Sequence, residues 1–204
     1  MPTNAVVRAP IDRSPPGQAR GGAVASPPHP NSTPMVSPTS AHACGIDFGT
    51  SNSTVGWLRP QQATLLPLED GKPTLPSVVF FNTEENSIRF GREALQDYLD
   101  GHEGRLMRSL KSLLGSSLID GGTEVHGRPI RFRDLLTQFI ATLKVRAEQH
   151  GRRSFDQAVF GRPVHFVDDD SAADRLAEAT LSDIGRAVGF KELSFQYEPI
   201  AAAF

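Results

Sequence analysis

This sequence has little cysteine, a net charge near zero and no long apolar run. Its 204 residues include a single cysteine, Cys44, and the formal net charge is −2. One cysteine cannot form an intramolecular disulfide, which is typical of the reducing cytoplasm. No apolar run is as long as a membrane-spanning helix, and the N-terminus lacks the apolar core of a secretory signal. A charge near zero gives no general attraction to nucleic acid or to anionic membranes. We therefore expect a soluble, cytoplasmic protein without nucleic-acid or membrane partners.

The motifs of several common enzyme classes are absent as well. The sequence has no Gly-x-x-x-x-Gly-Lys-Ser/Thr loop, no Gly-x-Gly-x-x-Gly after a strand and no Gly-x-Ser-x-Gly elbow. Its six histidines lack metal-ligand spacing. These chemistries can be set aside.

Residues 1–41 differ in composition from the rest of the chain. They are rich in proline, serine, glycine and alanine, contain no aromatic residue and show no hydrophobic periodicity. Such a segment cannot bury enough apolar surface to offset its ordering entropy, so we predict a disordered tail. Arg8, Arg13 and Arg20 faintly resemble a transit peptide or a polybasic contact segment, but they are too sparse for a charged patch, and disorder is favoured.

The most informative stretch runs from residue 43 to residue 57. Apolar residues up to Ile46 give way to the small polar residues of a turn, and alternation resumes at Val55, which predicts a β-hairpin. Gly49 permits a close backbone approach, so amides and hydroxyls of the turn could converge on a phosphate. Asp47 could hold a hydrated divalent cation beside it. An ordinary hairpin turn would use the same residue types.

Further along the chain, hydrophobic patterning predicts a mixed α/β fold. Strands are expected up to Phe90, then near residues 157–161 and 193–197. Helices are expected over residues 93–99, 106–114, 132–151 and 173–188. The strongest periodicity is one helical stripe of apolar residues, which predicts a core helix and consists of Phe132, Leu135, Leu136, Phe139, Ile140, Leu143 and Ala147.

Two clusters of charge allow more than one interpretation. Arg105, Arg108 and Lys111 would form a basic strip along the helix predicted over residues 106–114. The strip could face a phosphate, although a solvated helix face is the favoured interpretation.

The other cluster is the run of acids from Asp168 to Asp170. These carboxylates could hold a metal ion, but Ser171 with Asp174 resembles a capping box. Acids also favour a helix N-terminus, so we favour a capping role.

Several segments together resemble proteins of the Hsp70 family. Residues 45–53 resemble the first phosphate motif shared by the Hsp70, actin and sugar-kinase ATPases. Three later matches favour the Hsp70 branch, and they are residues 70–80, 110–115 and 197–203. The amino-acid sequence near residues 91–94 and 104–110 is most similar to that of the atypical YegD-type homologues. The resemblance covers residues 44–204.

This resemblance implies a fold, a domain organisation and a function. The expected fold is lobe I of an actin-like, ribonuclease-H-like ATPase, a mixed sheet with flanking helices spanning residues 42–204 behind the disordered tail. The implied function is that of an ATP-binding Hsp70-like chaperone, with unfolded polypeptides and co-chaperones as partners through regions outside this sequence. The alternative is a carbohydrate kinase or related phosphotransferase of the same superfamily. With lobe II absent, the chain as written is expected neither to bind ATP tightly nor to hydrolyse it.

The resemblance also implies roles for individual residues. Asp47 matches the aspartate that holds hydrated Mg²⁺, and Glu198 matches a catalytic glutamate that orients water and Mg²⁺ near the γ-phosphate. The implied contacts to the phosphates of ATP come from Gly49, Thr50, Ser51 and Asn52. For Glu198, a plain role as an acid at a helix N-terminus is the alternative. The catalytic lysine of the family is expected near Leu95, and no lysine stands there, so hydrolysis by the usual mechanism is in doubt.

Deleting residues 1–41 should leave the thermal midpoint of the remaining chain unchanged within error. A proline-rich polar segment has no apolar face that could pack on a folded domain. The measurement is a circular dichroism melt of the full and shortened chains. A drop of several degrees on deletion would show that the tail packs on the domain.

Overall fold

The structure is a computed structural model that describes residues 42–59, 62–125, 127–166 and 169–198. The predicted disordered tail, residues 1–41, lies outside these ranges. No helix among the described residues is long and apolar enough to cross a membrane.

The described residues form eleven strands, three α-helices and one 3-10 helix. The strands are β1 (Ala43–Phe48), β2 (Asn52–Arg59), β3 (Gln62–Leu65), β4 (Thr74–Pro76), β5 (Val79–Asn82), β6 (Ser87–Phe90), β7 (Gly104–Met107), β8 (Gly122–Val125), β9 (Arg128–Arg131), β10 (Gln157–Arg162) and β11 (Glu192–Tyr197). The α-helices are α1 (Arg92–Leu99), α2 (Phe132–Gly151) and α3 (Ser171–Ala187), and the 3-10 helix is Leu110–Leu113.

The main sheet is mixed, as predicted. Its strand order is β11-β10-β1-β2-β3, and β4 also pairs with β2. The pairs β1 with β10 and β10 with β11 are parallel, whereas β2 runs antiparallel to β1, β3 and β4. The carboxyl ends of β1, β10 and β11 therefore lie at the same edge of the sheet. Smaller antiparallel sheets are formed by β6-β5-β7 and by β8-β9.

The central strands bury one face and leave the other more open. In β1, Ile46 and Phe48 are buried whereas Gly45 and Asp47 are exposed, as the two-residue period of a strand requires. The buried face packs against helices, since the rings of Phe48 and Phe139 of α2 lie 5.6 Å apart. Asp47 thus projects from the face opposite this core.

Helix α2 confirms the strongest pattern in the sequence. All seven residues of the predicted stripe are buried, because a three- and four-residue spacing places them on one side of the helix. Helices α1 and α3 also form close to their predicted bounds.

The prediction of a helix over residues 106–114 is wrong. The segment first completes β7, in which Leu106 and Met107 pair with Phe80 and Val79 of β5. Ser109 then takes a left-handed conformation, with φ 56°, before the short 3-10 helix begins. Pairing with β5 therefore overrides the local helical spacing, and the predicted basic strip does not lie along one helix.

The acids before α3 do cap that helix, although the capping residue differs from the prediction. The side chain of Asp170 accepts hydrogen bonds from the amides of Ala172 and Ala173. Asp174 instead pairs with Arg162 at 2.7 Å, so the predicted Ser171–Asp174 capping box is wrong. Asp168 lies outside the described residues, and no metal-binding group of acids, histidines or cysteines is found within them.

A buried carboxylate, that of Glu69, joins three parts of the fold. Its side chain is 5% exposed and accepts a hydrogen bond of 2.7 Å from the Arg92 amide at the start of α1. The guanidinium of Arg146 from α2 lies 2.9 Å away. Gly91 precedes the helix with φ 72°, and a Cβ there would come within 2.8 Å of the Glu69 carboxylate. The carboxylate therefore caps α1 and ties it to α2.

Replacing Glu69 with alanine should lower the free energy of unfolding by about 3–5 kcal/mol, because the mostly buried guanidinium of Arg146 loses its nearest carboxylate and the start of α1 loses its cap. Urea denaturation of the two proteins measures the difference. Glu93→Ala is the matched control, since Glu93 approaches the same guanidinium at 3.8 Å but its side chain is 58% exposed. Its loss should cost less than about 1 kcal/mol. Equal effects of the two substitutions would contradict the central role of Glu69.

Candidate functional site

The candidate site is a pocket where β1, β10 and β11 end. Its volume is about 460 Å³. The lining includes Gly45, Asp47, Val159, Gly161, Gln196 and Glu198. Gly45 pairs with Val159 inside the sheet, so the pocket lies over the open face of these strands and extends toward their carboxyl ends.

Asp47 and Glu198 approach each other across Gly161. A Cβ built on Gly161 would lie 3.4 Å from Cγ of Glu198 and 3.8 Å from Cα of Asp47. A side chain at residue 161 would therefore contact both residues. Glycine inside a strand often marks such a close approach, and here it leaves room beside both residues.

A lysine from outside the sheet completes this charged group. Nζ of Lys111, in the 3-10 helix, lies 2.6 Å from Oε1 of Glu198, and the lysine side chain is 11% exposed. The two residues are 87 positions apart in the sequence. The fold thus brings one ammonium group to the two carboxylates.

The turn between β1 and β2 is held by a buried serine, Ser77. Its hydroxyl donates to the carbonyl of Gly49 at 2.7 Å, and its amide donates to the carbonyl of Ser51 at 2.9 Å. The hydroxyl of Ser53 lies 2.9 Å from that of Ser77. A hydroxyl carries one proton, so Ser53 is the donor of this pair. Two carbonyl groups of the turn are therefore already occupied and cannot turn toward an approaching anion.

The same turn leaves hydrogen-bonding groups available on its outer side. Thr50 and Ser51 are exposed, and their hydroxyls have no protein partner within the part of the chain that the structure describes. Gly49 is needed for closure, since a Cβ there would lie 2.2 Å from the carbonyl oxygen of Asn52. The turn therefore combines a fixed backbone with free hydroxyl groups.

The surroundings of Asp47 disfavour its charge. Although Asp47 reaches solvent, partial desolvation by its neighbours raises its pKa above the usual 3.8, the negative charge of Glu198 raises the pKa further, and the positive charge of Lys111 opposes both effects. The carboxyl is therefore held in a setting where an added cation would be favourable.

Comparisons with known proteins agree with this geometry. The family model described as "Hsp70 protein" matches residues 43–126, which include β1, the turn and the 3-10 helix. The chain is 33% identical over 183 residues to the "Chaperone protein HscA homolog" of Neisseria meningitidis serogroup B, which covers 79% of this chain and 27% of that protein. It is 28% identical to "Chaperone protein HscA" of Salmonella typhimurium, over 79% of this chain and 28% of that protein. The same identity links it to "Chaperone protein DnaK" of Thermosipho africanus, over 79% of this chain and 25% of that protein.

The chain belongs to the Hsp70 family. It spans about a quarter of the length of these curated relatives. The observed mixed sheet with flanking helices agrees with the actin-like ATPase lobe expected for this family. The closer likeness to YegD-type members stays a prediction.

The predicted site residues of this Hsp70-family chain fall into two neighbouring groups. Asp47 and Glu198 line one pocket. The four residues predicted to contact phosphate, Gly49, Thr50, Ser51 and Asn52, lie in or directly after the turn that follows β1. They adjoin the pocket through Asp47 but are not among its lining residues. Their roles toward ATP and Mg²⁺ stay predictions.

Two residues of the site were not recognised from the sequence. Sequence patterning favours a solvated helix face for Lys111, with a phosphate-facing strip as the alternative, and it identifies Gly161 only as part of a strand. An isolated glycine within the apolar run of β10 was the one available signal for Gly161. Leu95, the position at which the family lysine is expected, packs beside a separate apolar cluster that contains Phe80 and Ala94.

Replacing Asp47 with asparagine should raise the thermal midpoint at pH 7 by about 1–3 °C. An acid whose pKa is raised by folding favours the folded state at low pH, and this contribution is lost as the pH rises through the folded pKa. The asparagine side chain carries no charge at any of these pH values, so the variant does not lose this stability as the pH rises. The difference should therefore shrink as the pH falls toward the usual pKa of 3.8.

Thermal melts of the two proteins across this pH range provide the measurement. Asp183→Asn serves as the control, because the Asp183 side chain is 67% exposed. A lower midpoint for Asp47→Asn at pH 7, or a gap that is independent of pH, would contradict the prediction.

Proposed function

We propose that this chain contributes the phosphate and Mg²⁺ half of an ATP site, and that the protein acts as an ATP-dependent, Hsp70-like chaperone. The observation that carries the proposal is the meeting of Asp47 and Glu198 at one pocket beside the glycine turn. The family membership supports the choice of ATP as the ligand.

The donor groups of the site suit a magnesium nucleotide. Mg²⁺ prefers oxygen ligands and keeps several of its waters, so Asp47 can hold it through its hydration shell. Phosphate oxygens accept hydrogen bonds, which the amides and free hydroxyls of Thr50 and Ser51 can donate. When bound, the metal would supply positive charge to the phosphates.

Glu198 is placed to act on water near the phosphates. Its carboxylate faces the same pocket as Asp47, so it can accept a hydrogen bond from a water molecule there and orient it. We propose this orienting role for Glu198 as its part in ATP hydrolysis. Preorganised groups of this kind act most strongly in a closed, water-excluded cleft, so we expect catalysis to require more than this pocket.

The chaperone function is favoured over the carbohydrate-kinase alternative. The family model and the curated relatives named HscA and DnaK both indicate the Hsp70 branch. By analogy with these chaperones, we propose unfolded polypeptides and co-chaperones as partners of the whole protein and the cytoplasm as its compartment. The assignment rests on the family and on the site, not on the fold alone.

Replacing Asp47 with alanine should weaken the binding of ATP in the presence of Mg²⁺ by about tenfold, which corresponds to the loss of a contact worth about 1.4 kcal/mol. Isothermal titration at millimolar nucleotide, with and without Mg²⁺, measures the effect. Asp183→Ala is the control, since it removes an exposed carboxylate from α3. Unchanged affinity in the Asp47 variant, with its fold intact by circular dichroism, would refute the phosphate-site proposal.

A further inference from the structure

Lys111 has an environment that is unusual for a lysine. Its side chain is only 11% exposed, and its ammonium group contacts Glu198 at 2.6 Å. An ammonium group has three N–H donors, and this contact is the one hydrogen bond that the ammonium group makes to the described residues. Donors thus remain for another acceptor beside Glu198, which lines the pocket.

The short 3-10 helix fixes where this ammonium group lies. Leu110 and Leu113 flank Lys111 and are buried, at 0% and 8% exposed. Ser112 closes the turn by donating from its hydroxyl to the carbonyl of Ser109 at 2.7 Å. The backbone at Lys111 is therefore anchored on both sides, which limits the ordering entropy that binding a ligand would cost.

Lys111 offsets part of the negative charge around the pocket. Asp47 and Glu198 are both acids, and among the described residues only Lys111 pairs with either of them. With both acids ionised, the three groups carry a net charge of −1. A polyphosphate would meet repulsion from the carboxylates unless a cation stood between them, and a partly desolvated ammonium is an effective one.

We propose that Lys111 is a phosphate-binding residue of this site, and that Glu198 holds its ammonium group at the pocket until the phosphate arrives. The inference rests on the proposed function, because it takes the ligand to be a nucleotide polyphosphate. It assigns to the 3-10 helix a cation that the family resemblance leads one to expect near Leu95 of α1, where this chain has no lysine.

If the Lys111–Glu198 ion pair had only a structural role, its removal would have different effects on binding. If Lys111 only secured Glu198 after β11, its removal would lower stability and disturb every ligand of the pocket in the same direction. If Lys111 binds phosphate, its removal weakens polyphosphate binding but changes the net charge of the three groups from −1 to −2, which strengthens the binding of Mg²⁺ alone. Effects of opposite sign on the two ligands therefore distinguish the two roles.

The test titrates the 204-residue chain with ATP plus Mg²⁺, with sodium tripolyphosphate plus Mg²⁺, and with Mg²⁺ alone, following amide NMR signals of residues 45–51. Lys111→Met should raise the dissociation constants of both polyphosphates about tenfold. It should lower that of Mg²⁺ about threefold. Lys111→Arg, which keeps the charge, should restore most of the polyphosphate affinity.

The matched control is Lys191→Met. Lys191 also pairs with an acid, Asp156 at 3.4 Å, but both residues precede their strands and lie at the opposite edge of the same sheet. Lys191→Met removes one positive charge from the protein, as Lys111→Met does, and should leave the dissociation constants of all three ligands unchanged.

The outcomes separate this inference from the proposed function. If Asp47→Ala weakens binding but Lys111→Met does not, the inference is overturned and the ATP site stands. A loss of polyphosphate and Mg²⁺ affinity together in Lys111→Met, without rescue by arginine, also overturns it in favour of the structural role. If the unaltered chain binds neither polyphosphate, the proposed function fails and the inference falls with it.

Discussion

The parallel pairing of β1 with β10, and of β10 with β11, is the constraint on which the site depends. Parallel strands end at the same edge, so Asp47, Gly161 and Glu198 meet although they are distant in the sequence. The two-residue period of β1 then decides the faces. It buries Phe48 in the helical core and sends Asp47 to the open side. The core and the pocket are therefore two faces of the same strands.

Two buried polar groups hold the parts around this sheet in place. Ser77 fixes the turn after β1 through two carbonyl groups, and Glu69 ties the start of α1 to Arg146 of α2. Both act on backbone or charge that would be costly to bury without a partner. Asp47, by contrast, has no side-chain hydrogen bond to any residue that the structure describes, and its pKa is raised, which is typical of functional sites.

Local patterns predicted the parts of this fold that local forces determine. The stripe of α2 and the hairpin of β1 and β2 were predictable because periodicity and turn chemistry act over a few residues. The segment from Leu106 to Leu114 was mispredicted because its apolar spacing also fits a helix, and only the distant partner β5 selects a strand. The Lys111–Glu198 contact could not be predicted, since it joins residues 87 positions apart. Family resemblance named Asp47 and Glu198, but their shared pocket required the fold.

The long-range pairing of β1 also bears on how the protein is synthesised. Cys44 of β1 and its neighbour Gln157 of β10 are 113 residues apart. On the ribosome, β1 can form its hairpin with β2 early, but its other edge has no partner until β10 has emerged. An unpaired strand edge with an apolar face invites pairing with other chains. A chain of this topology therefore passes through a stage of synthesis in which one edge of β1 is open to pairing with other chains.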